Sequence, residues 1–270
     1  QEVIIVKNMK YYSQNGEDYL LKKVFKKKTG IFVEVGCIDG RVFSNTLHFE
    51  EEGWKGICVE AHQGYIELLK QNRPGSIVVN AAAGEKDEDS VTFYSNARGS
   101  LSSLDKTTEE RWKKDFKQYF HGFVEQKVAK RTLSNIFDEC NVTQIDFLSL
   151  DIEGYEVPAL QGLDLTRHKP HMMVIETDSP AHTEQINAIL KPNGYHLVLQ
   201  KETNLFYSVK ASDRHLLINH FETIDLTRAG HPLDGTSDSI IRFVIDTRVK
   251  DQVQLTFAER VKAKLKRMFS

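Results

Sequence analysis

"FVEVGCIDGRVFSNTLHFEEEGWKGICVEA", residues 32–61, reads as a β-α-β unit. An apolar strand runs through one acid, Glu34, into Gly36 and Gly40. A short helix follows over SNTLHFEEEGW, and GICVEA returns as a second strand that ends in Glu60 and Ala61. A charge inside a buried strand needs a partner, which sets Glu34 apart. The glycine turn itself could hold a phosphate, hold another cofactor, or form only a tight bend.

The same alternation continues outward from this unit. QGYIELLKQN reads as a helix and SIVVNAAAG as a strand. IDFLSLD, HMMVIET, YHLVLQ and NLFYSV read as further strands, separated by helices at VPALQGL and about residues 183–190, and Pro158 suits the first turn of the former. Buried strands alternating with amphipathic helices predict an α/β fold, a doubly wound, mostly parallel sheet with helices on both faces. Residues 15–30 form a helix in this reading, with Glu17 and Asp18 in its first turn and Lys26 to Lys28 before a terminal glycine. VIIV, VTFY and SIIRFVID are short strands, and TTEERWKKDFKQYF is an inserted helix. The division is then an amino-terminal helical segment over 1–30, a core over 31–210 with an insertion at about 96–127, and a carboxyl-terminal extension over 211–270.

Composition limits the classes of partner. The 270 residues carry 36 Lys and Arg against 38 Asp and Glu, so the charge of the whole chain gives no argument for nucleic acid. Three cysteines, far apart and without CxxC spacing, suggest neither a disulfide framework nor a zinc site, and a reducing, cytoplasmic setting fits them. No stretch approaches the roughly 18–20 apolar residues of a membrane span. The start at Gln1 is compatible with a piece of a longer protein.

In an open α/β sheet, ligands bind beyond the carboxyl ends of the strands, where the crossovers change direction. Those ends carry Glu34, Glu60, Asp151 with Glu153, and Glu176 with Asp178. Such a rim repels a pyrophosphate, and the nucleotide fingerprint GxGxxG is absent, which disfavours a nucleotide-dependent dehydrogenase. S-adenosyl-L-methionine suits the rim better, because it has a positive centre, an amino group, ribose hydroxyls and no phosphate. Glu60 is placed to accept hydrogen bonds from both ribose hydroxyls.

SQNGEDYLL, the 32–61 stretch, NAAAGEKD, TLSNIF and IDFLSLDIEGYEVPALQG follow one another, and in this order they resemble the FkbM-type S-adenosylmethionine-dependent methyltransferase family over about residues 12–209. The resemblance implies a Rossmann-like class I methyltransferase fold with a seven-stranded sheet, and O-methylation of sugars or sugar-containing products. It also implies that Glu34, Gly36, Asp39 and Gly40 form the first cofactor loop, that Glu60 and Ala61 bind the ribose, and that Asn80 and Ala82 lie near the adenine. Ser44, Asn45 and Thr46 would open the next helix near the cofactor carboxylate, with simple capping by Ser44 or Asn45 as the alternative. Gln14 and Asp18 would close the site. Ser149 stands where many relatives carry Lys.

Methyl transfer to a hydroxyl needs an aligned nucleophile and a group that takes its proton. DIEGYE offers Asp151 or Glu153 as base or orienting group, with Glu153 and Glu156 as loop-fixing acceptors in the alternative. Asp151, Glu176 and Asp178 could also hold Mg2+ through oxygen ligands. His168 and His171 flank a loop and His48 is expected on a helix surface. RWKKDFKQYF, with Trp112, Phe116, Tyr119 and Phe120, either stacks on sugar rings or packs on the domain. Phe257, Val261, Leu265 and Met268 recur at helical spacing among basic residues, so that helix either lies on an anionic membrane surface, near a lipid-linked glycan, or docks on the sheet. The alternative to an enzyme is a non-catalytic Star-like trafficking protein with the same fold.

Overall fold

Strand β1 (Ile31–Val35) alternates Val33 and Val35 toward one face with Phe32 and Glu34 toward the other, and all four are buried. Apolar burial on both faces marks a strand inside a sheet covered on both sides. The computed structural model describes residues 10–96, 100–115, 120–228 and 239–248. In chain order, α1 (Glu17–Val24) precedes β1, and α2 (Leu47–Glu51), β2 (Lys55–Glu60), α3 (Ile66–Asn72) and β3 (Ser76–Asn80) follow it. Then come β4 (Ala82–Ala83), β5 (Glu88–Ser95), α4 (Thr108–Asp115), β6 (Val124–Arg131), α5 (Leu133–Glu139) and β7 (Phe147–Leu150). The remainder is α6 (Glu156–Gln161), β8 (Met172–Glu176), α7 (Pro180–Leu190), β9 (His196–Lys201), β10 (Asn204–Ser208), α8 (Arg214–Leu217), β11 (Phe221–Arg228) and β12 (Ser239–Asp246).

The central sheet has seven strands in the order β3-β2-β1-β7-β8-β10-β9. Neighbours pair in parallel from β3 to β8, and β10 runs antiparallel to both β8 and β9. This is the arrangement of a Rossmann-like class I methyltransferase. The chain builds outward from β1 through β2 to β3, then returns to β7 on the other side of β1. The crossover direction therefore reverses between β1 and β7, which opens a crevice beyond their carboxyl ends.

One face of the sheet packs Val33, Ile57, Leu148 and Ile175 against α5, α6 and α7, through Phe137, Leu160 and Ile186. The other packs Phe32, Cys58, Phe147 and Phe206 against α1, α2 and α3, through Leu21, Phe49 and Leu69. Helix α1 is shorter than its charge pattern suggests: it ends at Val24, and Phe25 turns into the core while Lys26 to Lys28 lie beyond the helix.

Two smaller sheets contain the expected strands VTFY, within β5, and SIIRFVID, as β12, but the strands that pair with them were not legible in the sequence. β4, β6 and β5 form a three-stranded sheet, and β6 reads VEQKVAKR, with too many charges to stand out as a strand. Its Lys130 is nonetheless buried and reaches Glu85 at 2.9 Å and Glu88 at 2.6 Å. β12 pairs with β11 as an antiparallel ribbon whose inner residues Ile224, Leu226 and Ile245 join the core face that covers α1. The proposed strand VIIV and the basic carboxyl-terminal helix lie outside the described residues. Among the described residues, no helix is long and apolar enough to cross a membrane.

Candidate active site

The loop after β1 is shaped by contacts with neighbouring elements. Gly36 has φ +88°, and a Cβ there would sit 1.8 Å from the carbonyl oxygen of Asp151. The glycine therefore lets the ends of β1 and β7 meet at the switch point. Gly40 has φ +80°, and a Cβ there would press on Arg73 and Leu69 at 2.6 Å, so α3 sets its requirement. Ile38 and Phe43 also hold left-handed backbone, at φ 51° and 56°, and both line the cavity. Strain of this kind costs about 1–3 kcal/mol per residue and concentrates at functional sites.

Beyond the strand ends lies a cavity of about 490 Å³. At one end, Glu60 finishes β2 with both carboxylate oxygens engaged by backbone: Oε2 accepts from Ile38 N at 2.8 Å and Oε1 from His62 N at 2.7 Å. Each oxygen keeps lone-pair capacity for a further donor. Burial pushes Glu60 up from 4.5 to about 7, against the pull of those backbone N–H groups. Ala61, Ala82, Ile38 and Phe93 give this end an apolar, small-residue wall.

The other end is acidic. Asp151, Glu153 and Glu176 line it, and among the described residues no lysine, arginine or histidine lines the cavity. Asp151 is open to the cavity but walled by protein atoms. That burial first, and then the charges of Glu176 and Glu153, push its carboxyl well above the ordinary 3.8. Glu153 is likewise pushed well above 4.5, by burial and then by Glu176 and Glu156. Its backbone is left-handed at φ 58°, the Ser103 hydroxyl donates to its carbonyl at 3.1 Å, and its carboxylate makes no hydrogen bond to a described residue. Glu156 accepts from Ile152 N at 2.9 Å and Gly154 N at 3.2 Å, which fixes the loop carrying Glu153.

Of the residues singled out in the sequence, Gln14, Glu34, Gly36, Glu60, Ala61, Ala82, Asp151, Glu153 and Glu176 come together around the cavity. The others are not among its lining residues, and Glu34, which is, has its carboxylate taken. Glu34 faces α3 and forms a buried pair with Arg73 at 2.9 Å, and it also accepts from Ser44 Oγ, Asn45 N and Thr46 Oγ1. Ser44 Oγ further accepts from Leu47 N at 3.0 Å, in a capping role at the start of α2. Asn45 donates to Ser149 Oγ at 2.9 Å. Asp39 accepts from Arg41 N and Val42 N, both at 2.9 Å, and so closes its own turn. Asn80 donates to the carbonyls of Glu60 and Ala61. Asp18 accepts from Tyr12 N and Ser13 Oγ, holding the turn that presents Gln14. Asp178 pairs with Arg111 of α4.

One sequence expectation changes, at His48; the loop position of His168 and His171 holds, and of the two readings of the insertion's aromatics packing is the one found for Trp112 and Phe120. His48 is buried, with Nδ1 2.8 Å from the carbonyl of Lys10, because α2 turns it inward against Tyr11. His168 and His171 are tied to Asp138 at 3.1 Å and Asp213 at 2.7 Å. Trp112 and Phe120 are buried against each other, so they pack the insertion and do not present a stacking face; Phe116 and Tyr119 lie outside the described residues. Ser100 to Ser102 and Leu104, from the same insertion, line the cavity. Their small polar composition carries no sequence signal.

Asp18, Glu60 and Glu156 are each raised to about 7 by burial. Below their unfolded values the proton is present in both states. Between those values and about 7 the folded state keeps protons that the unfolded chain releases, so stability falls as pH rises through this window. Exposed carboxylates held low, such as Asp87 and Asp138, titrate beneath it. The ligand-free protein is therefore expected to melt at a higher temperature near about pH 5.5 than near about pH 8. Thermal denaturation across that range checks the sign, and a rising Tm would contradict it.

A seven-stranded sheet with its cavity at the switch point, and an acid ending the second strand, places the chain in the class of S-adenosylmethionine-dependent methyltransferases. The family model described as "Methyltransferase FkbM domain" matches residues 34–197. The chain belongs to that family. Comparison with curated proteins gives no match. Among solved structures, it is similar to a precorrin-6y C5,15-methyltransferase from Geobacter metallireducens at 10% identity, covering 76% of this chain and 92% of that one with a TM-score of 0.41. It is also similar to a TehB-like SAM-dependent methyltransferase from Corynebacterium glutamicum at 13% identity, with 73% and 89% covered and a TM-score of 0.38. The cofactor implied by the family fits the residues present: Glu60 has acceptor capacity for vicinal hydroxyls, the adjoining wall is apolar, and the acids suit a sulfonium.

Proposed function

We propose that this protein methylates a hydroxyl of a sugar or glycoconjugate. The observation that carries the reading is the acid end of the cavity, where carboxylates without a lysine or arginine among the described lining residues adjoin the Glu60 end. Carboxylates accept hydrogen bonds from hydroxyls, whereas an anionic acceptor would be repelled. Glu60 would hold the ribose of S-adenosylmethionine, which when bound would supply an electrophilic methyl group. Asp151 and Glu176 hold and orient acceptor hydroxyls. Glu153 takes the proton of the reacting hydroxyl, since its carboxylate makes no hydrogen bond to a described residue and burial, then Glu176 and Glu156, raise its affinity for a proton.

Glu60→Gln is expected to weaken S-adenosylhomocysteine binding about tenfold or more, because a hydrogen bond to a charged group is worth about 1.5–3 kcal/mol. In the unmodified protein the affinity should rise as pH increases through about 7, where Glu60 ionises. Calorimetric titration reads both, and a pH-independent affinity unchanged by the substitution would remove Glu60 from the cofactor site. Transfer of labelled methyl to a panel of glycans tests the acceptor class. Cofactor binding without transfer to any glycan would count against it and favour the trafficking alternative.

A further inference from the structure

We propose that the groove at the amino-terminal edge of the central sheet binds a phosphate group, carried by a soluble ester or by a lipid headgroup. This groove lies at the opposite ends of the strands from the acid-rimmed cavity. Ile31 and Lys55 begin β1 and β2, Asp146 and His171 immediately precede β7 and β8, and Lys210 follows β10, which runs the other way. The concavity measures about 890 Å³, within the size range of small-molecule sites, roughly 300–1,000 Å³.

Its charge is one-sided. Lys27, Lys55, Arg167, Lys169 and Lys210 line it, and Asp146 is the one acid among the described lining residues. Both oxygens of that acid are engaged: Oδ1 pairs with Lys27 at 2.6 Å, and Oδ2 accepts from Ile31 N at 2.8 Å. Arg167 is paired with Asp138, and His171 with Asp213. Lys55, Lys169 and Lys210 are exposed, and among the described residues none of them pairs with a carboxylate; Lys169 lies over the Tyr195 ring at 5.8 Å. The three come from separate segments of the chain, so no local run of basic sequence accounts for their convergence. Nor does overall composition, since the chain has 38 Asp and Glu against 36 Lys and Arg. A concave surface lined by one sign of charge focuses its field and gathers counter-ions.

The lining selects among anions. Lysine ammonium groups bind phosphate as point charges, and Thr29, Thr143 and Gln144 add hydroxyl and amide donors. Three unpaired cations around one concavity suit a compact group with two or more negative charges better than a single carboxylate. No Phe, Tyr or Trp is among the described lining residues, so nucleic-acid bases would have no surface to stack on. Ile31, Ile145 and Val209 offer an apolar surface to the organic part of an ester. The site does not depend on the methyl-transfer reading.

The test uses the full chain at low ionic strength and two probes. Calorimetry with sodium pyrophosphate reads a soluble source, and co-sedimentation with phosphatidylcholine vesicles, with and without phosphatidic acid, reads a headgroup. Saturable binding of pyrophosphate, or vesicle binding that requires phosphatidic acid, is expected, and it should weaken as salt is raised. Combining Lys55→Gln, Lys169→Gln and Lys210→Gln should lower the affinity about tenfold or more. Lys113→Gln, on α4 at the other edge of the sheet, should leave it at the parent value. Glutamine keeps much of each exposed aliphatic stem, and should circular dichroism show the triple variant unfolded, the three single variants decide. Saturating S-adenosylhomocysteine should not change the binding. No binding of either probe with a Kd below about 1 mM would overturn the proposal. So would an affinity that the lysine substitutions leave unchanged, and so would displacement by S-adenosylhomocysteine, which would place the anion in the first cavity.

Discussion

Glu153→Gln loses methyl transfer by about 10²- to 10⁴-fold while retaining its affinity for S-adenosylhomocysteine. Glutamine keeps the size and hydrogen-bonding reach of the side chain but cannot take a proton. In the proposed arrangement the cofactor is held at Glu60, on a different strand, so ground-state binding there is untouched. The loop conformation also survives, because it is fixed by the Glu156 carboxylate accepting from Ile152 and Gly154 and by the Ser103 bond to the backbone carbonyl of Glu153. The loss should therefore fall on kcat, with KM for the cofactor unchanged. Single-turnover kinetics with an accepted glycan checks this, and a variant as active as the parent would transfer the role of base to Asp151 or to solvent.

Arg73→Ala lowers the unfolding free energy by about 3–5 kcal/mol, the cost of removing one partner from a buried ion pair. Arg73 is fully buried at the carboxyl end of α3, and its guanidinium reaches five groups at once. It donates to Glu34 at 2.9 Å, to Glu50 at 2.8 Å, to Thr46 Oγ1 at 2.7 Å, to Ser44 Oγ at 3.2 Å and to the carbonyl of Gly40 at 3.3 Å. Truncation leaves two carboxylates, Glu34 and Glu50, without their cation beside the loop after β1. In a domain of this size each kcal/mol corresponds to about 2–4 °C in Tm. Urea unfolding followed by circular dichroism gives the value directly. A loss below about 1 kcal/mol, the range of an exposed pair, would show that Glu34 is stabilised by something other than Arg73.

Glu34 also shows where sequence reading stops. Its position inside IFVEV announces a buried acid that needs a partner, but the partner lies 39 residues away on α3 and sits in QNRPG, an unremarkable helix end. The spacing of Gly36 and Gly40 is equally visible, and both glycines are indeed required. The reason for each is tertiary: the carbonyl of Asp151 for Gly36, and Arg73 with Leu69 for Gly40. Ser44, Asn45 and Thr46 follow from this, because hydroxyls and an N–H beside a buried carboxylate satisfy its remaining lone pairs.

Local periodicity was sufficient for the layers of the fold. Apolar residues on both faces of β1, β2, β7 and β8, with amphipathic helices between them, leave a parallel sheet covered on both sides as the economical way to bury them. Acids at the strand ends follow from that sheet, since parallel strands gather their carboxyl ends along one edge. What the tertiary structure decided was which of these acids are paired with a cation and which are left to the cavity. Glu60, Asp151, Glu153 and Glu176 meet it without a lysine or arginine partner among the described residues, while Glu34, also in its lining, and Asp178 are claimed by Arg73 and Arg111. That choice depends on cations contributed by α3 and by an insertion far along the chain, and neither periodicity nor spacing in a single strand encodes such a contact.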